Sequence, residues 1–326
     1  MKLFLFTTLL AFASAQAEDK KSPKSTWIDP EKAAKENPDF SIQGEYYKEG
    51  APVGIQLVAL GDGKFTAYFL ENGLPGKGWK KEDSRAIYNL TRKENQLIPD
   101  KKAPLSLTLG KGNITVKIGK STPVILPRIE RESPTLGAKA PEGATVLFDG
   151  TSVEHWQNGK MENGLLQATG TTSKPTFKSY KLHLEFRPPY KPFARGQGRG
   201  NSGVYFGGRW ETQILDSFGL DGKMNECGGI YSIAEPRLNM CLPPLKWQTY
   251  DVDFTAAKFD AGGKMTDWPS MTVKLNGVLI HKNQKLTKDF TTASPKNGPL
   301  KDEARPVYLQ NHGNPVVFRN IWVLPK

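Results

Sequence analysis

The segment Lys181–Arg187 (Lys-Leu-His-Leu-Glu-Phe-Arg) alternates apolar and polar side chains without a break. Successive side chains of a strand point to opposite faces. Leu182, Leu184 and Phe186 therefore share one face, and His183, Glu185 and Arg187 share the other. A period of two does not suit an amphipathic helix; it calls for a sheet with one buried side. The pattern recurs downstream. Trp210–Leu215 puts Glu211 and Gln213 together, and residues 247–255 set Tyr250, Val252 and Phe254 against Asp251 and Asp253. Met271–Asn276 and Gly277–His281 make a hairpin about Asn276-Gly277, a pair that two-residue turns favour. Residues 307–310 and 316–324 close the series. Strands of this kind at this spacing predict two antiparallel sheets packed face to face, over residues 144–326.

The chain upstream is also β in character. Ile55–Leu60 and Lys64–Leu70 flank Gly61-Asp62-Gly63, and Leu105–Leu109 and Asn113–Ile118 flank Gly110-Lys111-Gly112. Residues 40–131 thus read as a small antiparallel sheet or barrel of unknown role, which makes the whole chain all-β. Residues 132–143, with Pro134, Pro141 and no periodicity, read as an extended linker. Residues 18–39 read as a polar leader with one short helix, N-capped by Asp29, begun by Pro30 and ended by Pro38. At the start, Lys2 precedes the apolar run Leu3–Phe12 and the small residues Ala13–Ala17. These are the three parts of a secretory signal peptide, expected over residues 1–17, and they predict a secreted or periplasmic protein. The apolar run is well short of the ~20 residues that cross a bilayer. No later stretch reads as a transmembrane segment.

Lys and Arg total 45 against 33 Asp and Glu, a formal net charge of +12. The lysines are scattered, as at Lys80-Lys81 and Lys101-Lys102, and no nucleic-acid-binding signature accompanies them, so a solvated basic surface is expected and no nucleic acid partner. Cys227 and Cys241 are the only cysteines. In an exported protein they could close a disulfide contributing about 3 kcal/mol, or remain two buried thiols.

The motifs of the second half, in order, resemble a known family. Leu147-Phe148-Asp149-Gly150-Thr151 with Trp156 opens it. Gly198-Arg199-Gly200-Asn201-Ser202-Gly203-Val204-Tyr205 and Glu211-Thr212-Gln213-Ile214-Leu215-Asp216-Ser217 follow. Glu226-Cys227-Gly228-Gly229-Ile230-Tyr231, Trp247-Gln248-Thr249-Tyr250-Asp251 and Leu275-Asn276-Gly277-Val278 continue it. Leu309-Gln310-Asn311-His312-Gly313-Asn314-Pro315-Val316 and Phe318-Arg319-Asn320-Ile321 complete it. Together, across residues 144–326, they resemble the 3-keto-disaccharide hydrolase domain. The resemblance implies a concanavalin A-like jelly-roll sandwich, an exported bacterial protein, and action on 3-keto-glycosides. Residues before the linker lie outside it.

A ketone at C3 of a hexose acidifies the C2 proton, and the glycosidic oxygen on C1 can then leave by elimination. Water adding back at C1 makes the outcome hydrolysis. Such a reaction needs a base near C2, a donor for the enolate oxygen and an acid at the leaving oxygen. It does not need the paired carboxylates of ordinary glycosidases. His312, in a Gly/Asn-rich loop after a strand, is the candidate base, because imidazole titrates near neutrality. Glu211 is the candidate acid or second base, and Arg187 the candidate enolate stabiliser. Glu185, Arg199, Asn201, Tyr205, Gln213, Asp216, Tyr231 and Gln310 are candidate sugar contacts. If the strands of Glu185 and Arg187 neighbour that of Glu211, all converge on one polar face; the competing reading is a buried ion-pair network. Tyr205, Trp210, Tyr231 and Trp247 offer aromatic faces for sugar rings, though most will fill the core. No cofactor is required. Glu211, Asp216, Glu226 and His312 could ligate a divalent metal, but no short ligand spacing calls for one. The expected partner is an oligosaccharide or glycoside substrate. A non-catalytic, lectin-like sandwich or a structural envelope protein is the alternative that this architecture leaves open.

Overall fold

The computed structural model describes residues 26–326; the expected signal peptide, residues 1–17, lies outside the described residues. Asp62 and Gly63 both have positive φ (53° and 69°). That is the backbone a two-residue type I′ turn needs, and it pairs Val53–Gly61 with Lys64–Glu71. The chain then meanders, each strand antiparallel to the one before. Arg85–Lys93, Gln96–Pro99, Leu105–Gly110, Asn113–Ile118 and Val124–Ile129 follow, and Gly44–Tyr46 closes an eight-stranded barrel. Closure leaves no unpaired edge. Alternation fills the interior with Ile55, Leu57, Phe65, Phe69, Leu107, Ile114, Val116 and Leu126.

The leader is tied down. Asp29 caps helix Pro30–Glu36 by accepting from the Lys32 amide at 2.7 Å. Asn37 ends that helix and caps a second, Pro38–Ile42, where one helix was expected. Trp27 and Ala33 are buried in the barrel's apolar cluster, and Asp39 Oδ2 accepts from the Gly63 amide at 2.8 Å.

The second half is a sandwich. Its large sheet runs Met161–Glu162, Leu165–Gln167, Val317–Pro325, Tyr180–Arg187, Gln248–Thr255, Ser270–Leu275, Val278–Lys285, with Thr145–Phe148 also paired to Val317–Pro325. The small sheet runs Trp156–Gln157, Thr171–Ser173, Tyr308–Leu309, Ser202–Phe206, Trp210–Ile214. Asn276 and Gly277 supply the expected positive-φ turn (51° and 77°). Leu182, Leu184, Phe186, Tyr250, Val252 and Phe254 face Val204, Phe206, Trp210, Ile214 and Leu309 across the core. Each such burial contributes ~1.5–3 kcal/mol. Cys227 and Cys241 sit in this core as two free, buried thiols, the second of the two arrangements the sequence left open, and the bridge is not formed. Cys227 Sγ lies 3.5 Å from the Tyr250 hydroxyl, and Cys241 Sγ lies 3.5 Å from the Leu215 carbonyl oxygen.

The linker is a pinned strap across the outer face of the large sheet. Ser133 Oγ and Thr249 Oγ1 are 2.6 Å apart, and Thr135 Oγ1 donates to Asp251 Oδ2 at 2.6 Å. The Gly137 amide donates to Glu185 Oε1 at 2.6 Å, and the Ala138 carbonyl accepts from Asn320 and from the Trp322 indole. Beneath the strap, His183 Nδ1 lies 2.7 Å from Asp251 Oδ1, and Nε2 lies 3.6 Å from Glu185 Oε1. Burial opposes protonation of His183, but the hydrogen bonds to Asp251 and Glu185 outweigh it and raise its pKa above 6.5. Burial likewise pushes the Glu185 carboxyl up, yet His183, Asn320, Arg319 and the Gly137 amide bring it down to about 2.

A raised histidine contributes stability that is complete below its ordinary pKa and is lost as pH rises through the elevated value. Glu185's share is present above pH 4.5 and is lost as pH falls through about 2. Chemical denaturation should therefore show the stability gap between wild type and His183→Asn narrowing as pH rises above the ordinary histidine value of 6.5. A gap that stays constant would contradict a charged His183.

Candidate active site

Because side chains alternate, Gly203 and Tyr205 of one strand share the outer face of the small sheet with Glu211 and Gln213 of the next. The register sets Gly203 opposite Gln213 and Tyr205 opposite Glu211. Gln310 joins them from just beyond Tyr308–Leu309, its amide bonded to the Gly203 carbonyl at 2.9 Å. Over this face lies a pocket of about 120 Å³, walled by Gln197, Asn201, Tyr231 and Thr292, with the exposed His312 at its rim.

Glu211 forms the floor, with 2 % of its surface exposed. Its side chain lies flat across Gly203, where a Cβ would come within 2.2 Å of Oε1 and 2.9 Å of Cδ. Any larger residue would have to displace the carboxyl. Glu211 Oε2 accepts from the Tyr205 hydroxyl at 2.9 Å. Burial pushes the Glu211 carboxyl from 4.5 up to about 8, and only the Tyr205 bond pulls the other way. At neutral pH the group is a carboxylic acid. Tyr205 is matched to that state. Its oxygen is 3.1 Å from the Thr292 carbonyl and accepts from Gln310 Nε2 at 3.0 Å. A protonated Glu211 can donate to Tyr205 while Tyr205 donates to Thr292; an ionised Glu211 takes the tyrosine proton's bond for itself.

The amide side chains are oriented by a chain of forced roles. The Asn225 carbonyl can only accept, so Gln197 presents Nε2 to it at 2.8 Å. Gln197 Oε1 then accepts from Asn201 Nδ2 at 2.8 Å and from Gln213 Nε2 at 3.0 Å. The remaining oxygens, Asn201 Oδ1, Gln213 Oε1 and Gln310 Oε1, are buried with no hydrogen-bond partner among the described residues. Buried acceptors left open cost stability unless a ligand or solvent donor meets them. The pocket suits a hydroxyl-rich ligand, or a hard cation that prefers oxygen ligands.

Of the residues singled out from sequence, His312, Glu211, Asn201, Gln213, Tyr231 and Gln310 line this pocket, and Tyr205 lies directly behind Glu211. Four lie elsewhere. Glu185 and Arg187 are on the outer face of the large sheet, because their strand pairs with Gln248–Thr255 and Val317–Pro325 and not with Trp210–Ile214. Glu185 is held by Arg319 at 2.6 Å, and the Arg187 guanidinium lies 5.0 Å from the Trp247 ring centroid. Arg187 therefore cannot stabilise an enolate in this pocket. Arg199 and Asp216 form a buried ion pair at 2.6 Å beneath the pocket loop.

Among the described residues no three His, Cys, Asp or Glu side chains gather as metal ligands. Asp216 is paired with Arg199, and Glu226 accepts from the Gly222 and Lys223 amides of its own loop. Sequence reading passed over Gln197, Asn225, Thr292 and the role of Gly203. Only Gly203 carried a signal, since a glycine inside a strand marks close approach.

Fold and site together define an all-β protein whose sandwich carries a polar, acceptor-lined pocket. Residues 143–324 match the family described as 3-keto-alpha-glucoside-1,2-lyase-like domain. The chain belongs to that family, and its function is carbohydrate-active. A solved structure of a candidate glycosyl hydrolase from Parabacteroides distasonis is 30% identical, with a TM-score of 0.50, over 57% of this chain and 85% of that one. A second candidate glycosyl hydrolase from the same organism is 19% identical, with a TM-score of 0.41, over 57% of this chain and 94% of that one. No curated protein matches the chain.

A carboxyl whose folded pKa is raised stabilises the protein most below its ordinary pKa, here 4.5, and that stability is lost as pH rises through about 8. Glu211→Gln keeps the shape and removes the titration. Its thermal midpoint should exceed that of wild type at pH 8 by more than at pH 5, by several degrees for a change of ~1–2 kcal/mol. Equal gaps at both pH values would contradict a neutral Glu211.

Proposed function

We propose that this protein is an exported enzyme that cleaves the glycosidic bond of 3-keto-glycosides by elimination, with or without return of water. The observation that carries the reading is the composition of the pocket. It holds one carboxyl, kept protonated by burial, and one imidazole at the rim. Ordinary glycosidases work with two carboxyl groups flanking the bond, whereas an elimination next to a ketone needs one base and one acid. The apolar run and small residues of Met1–Ala17 support export.

In this reading His312 takes the C2 proton. The electron pair forms an enolate across C2 and C3, and its oxygen is met by a donor such as the Tyr231 hydroxyl. As the ketone re-forms, a double bond appears between C1 and C2 and the C1–O bond breaks. Glu211 gives its proton to the departing oxygen. For hydrolysis, water then supplies hydroxyl to C1 and a proton to C2. Asn201, Gln213 and Gln310 accept from the sugar hydroxyls. Gly203 keeps the acid in place.

Purified protein, given a chromogenic 3-keto-glucoside and the plain glucoside, should release aglycone from the keto form alone. Activity should fall as pH rises through about 8, as Glu211 loses its proton. His312→Ala should lower kcat by ~10²–10⁴, and chelation should leave the rate unchanged. Binding of both sugars with turnover of neither would replace the enzyme by a lectin-like protein.

A further inference from the structure

The loop that completes the pocket belongs to the sandwich but is gripped by the barrel. After Tyr180–Arg187 the chain runs through residues 190–201 before entering Ser202–Phe206. Tyr190 exchanges both backbone hydrogen bonds with Trp27, at 2.9 and 3.0 Å, and its ring is buried among the barrel's apolar residues. Phe193 lies against Gly61, where a Cβ would come within 2.3 Å of its ring. Arg195 Nη2 donates to the Leu60 carbonyl at 3.1 Å, and Arg199 Nη1 donates to the Ala59 carbonyl at 3.3 Å. Three consecutive barrel residues, Ala59 to Gly61, therefore hold the loop on either side of Gln197. That is the residue whose amide turns the oxygens of Asn201 and Gln213 toward the pocket. The same segment supports the histidine rim. Buried Lys191 donates to Asn314 Oδ1 at 2.5 Å, and Asn314 Nδ2 donates to the His312 carbonyl at 2.9 Å.

We infer that the barrel is a positioning module of the pocket, and that Gln197, held by the clamp on Ala59–Gly61, is a specificity-determining residue for the ligand. A hydrogen-bonding site gains selectivity only when its first contacts are fixed by a supporting shell. Gln197 is such a support: it accepts two amide bonds and donates one, so its loss frees Asn201 and Gln213 to rotate. This inference rests on the glycoside reading for its ligand, but the clamp itself does not.

The clamp is tested in the full chain by the double variant Phe193→Ala/Arg195→Ala, both at exposed positions. Hydrogen exchange of the amides of residues 196–201 should accelerate at least about tenfold, while those of residues 53–61 keep wild-type rates. With the chromogenic 3-keto-glucoside, kcat/KM should fall about tenfold, and adding Gln197→Ala to the double variant should cause little further loss, because coupled positions are not additive. Arg195→Lys should restore part of the protection. Unchanged exchange over 196–201, or fully additive losses, would overturn the proposal. If the wild type turns over no 3-keto-glucoside, the catalytic reading fails, while the exchange experiment still decides the clamp.

Discussion

Among the described residues Glu211 is buried without a positive partner, and much of the pocket follows from that. Burying an ionised carboxylate without a counter-charge costs several kcal/mol, so such a group takes up a proton instead. The surroundings conform to that outcome. Tyr205 offers a hydroxyl that can accept as well as donate, Thr292 offers a carbonyl for the tyrosine proton, and Gly203 leaves the space a flat carboxyl needs. A cation beside Glu211 would make it a carboxylate and remove its capacity to give a proton. The two arginines of the adjoining loop are engaged elsewhere: Arg199 is paired with Asp216, and Arg195 donates to the Leu60 carbonyl.

The two halves of the chain meet where this matters. The sandwich supplies the floor of the pocket from strands, which are stiff, and its walls from loops. Loops are fixed only by what they touch. Here the barrel hairpin, the buried Lys191–Asn314 contact and the Gln197 amide network substitute for the missing strand pairing. On the far side, the strap of residues 133–138 covers His183, Glu185 and Asp251 and joins the barrel to the large sheet. His183, Glu185 and Asp251 thus gather under the strap, whereas the pocket is walled by neutral amides and hydroxyls, with the Arg199–Asp216 pair beneath its loop.

Much of this was legible from residue order. Strict alternation in Lys181–Arg187 and about Tyr250 named the core faces, and Asn276-Gly277 named a turn, because side-chain period and positive φ are local properties. Arg85–Lys93 and Val124–Ile129 were missed: their outward residues include Ile87 and Ile125, which blur the alternation, and the turn after Lys93 uses Glu94 at φ 53°, an unusual residue for that conformation. The convergence of Glu185 and Arg187 with Glu211 failed for a different reason. A polar face can be read from one strand, but which sheet the strand joins depends on pairing over more than a hundred residues. The family resemblance pointed to the sandwich and to 3-keto-sugars. Gln197 and the clamp behind it carry no local signature at all.

The neutral acid at the centre of the account can be observed directly. Infrared difference spectra between wild type and Glu211→Gln, collected across pH, isolate the carbonyl stretch of a single protonated carboxyl group. This band should be present at pH 7 and disappear with a midpoint near 8. A band that vanishes near the ordinary value of 4.5 would show a carboxylate in the pocket at neutral pH, and the assignment of Glu211 as the acid would fall.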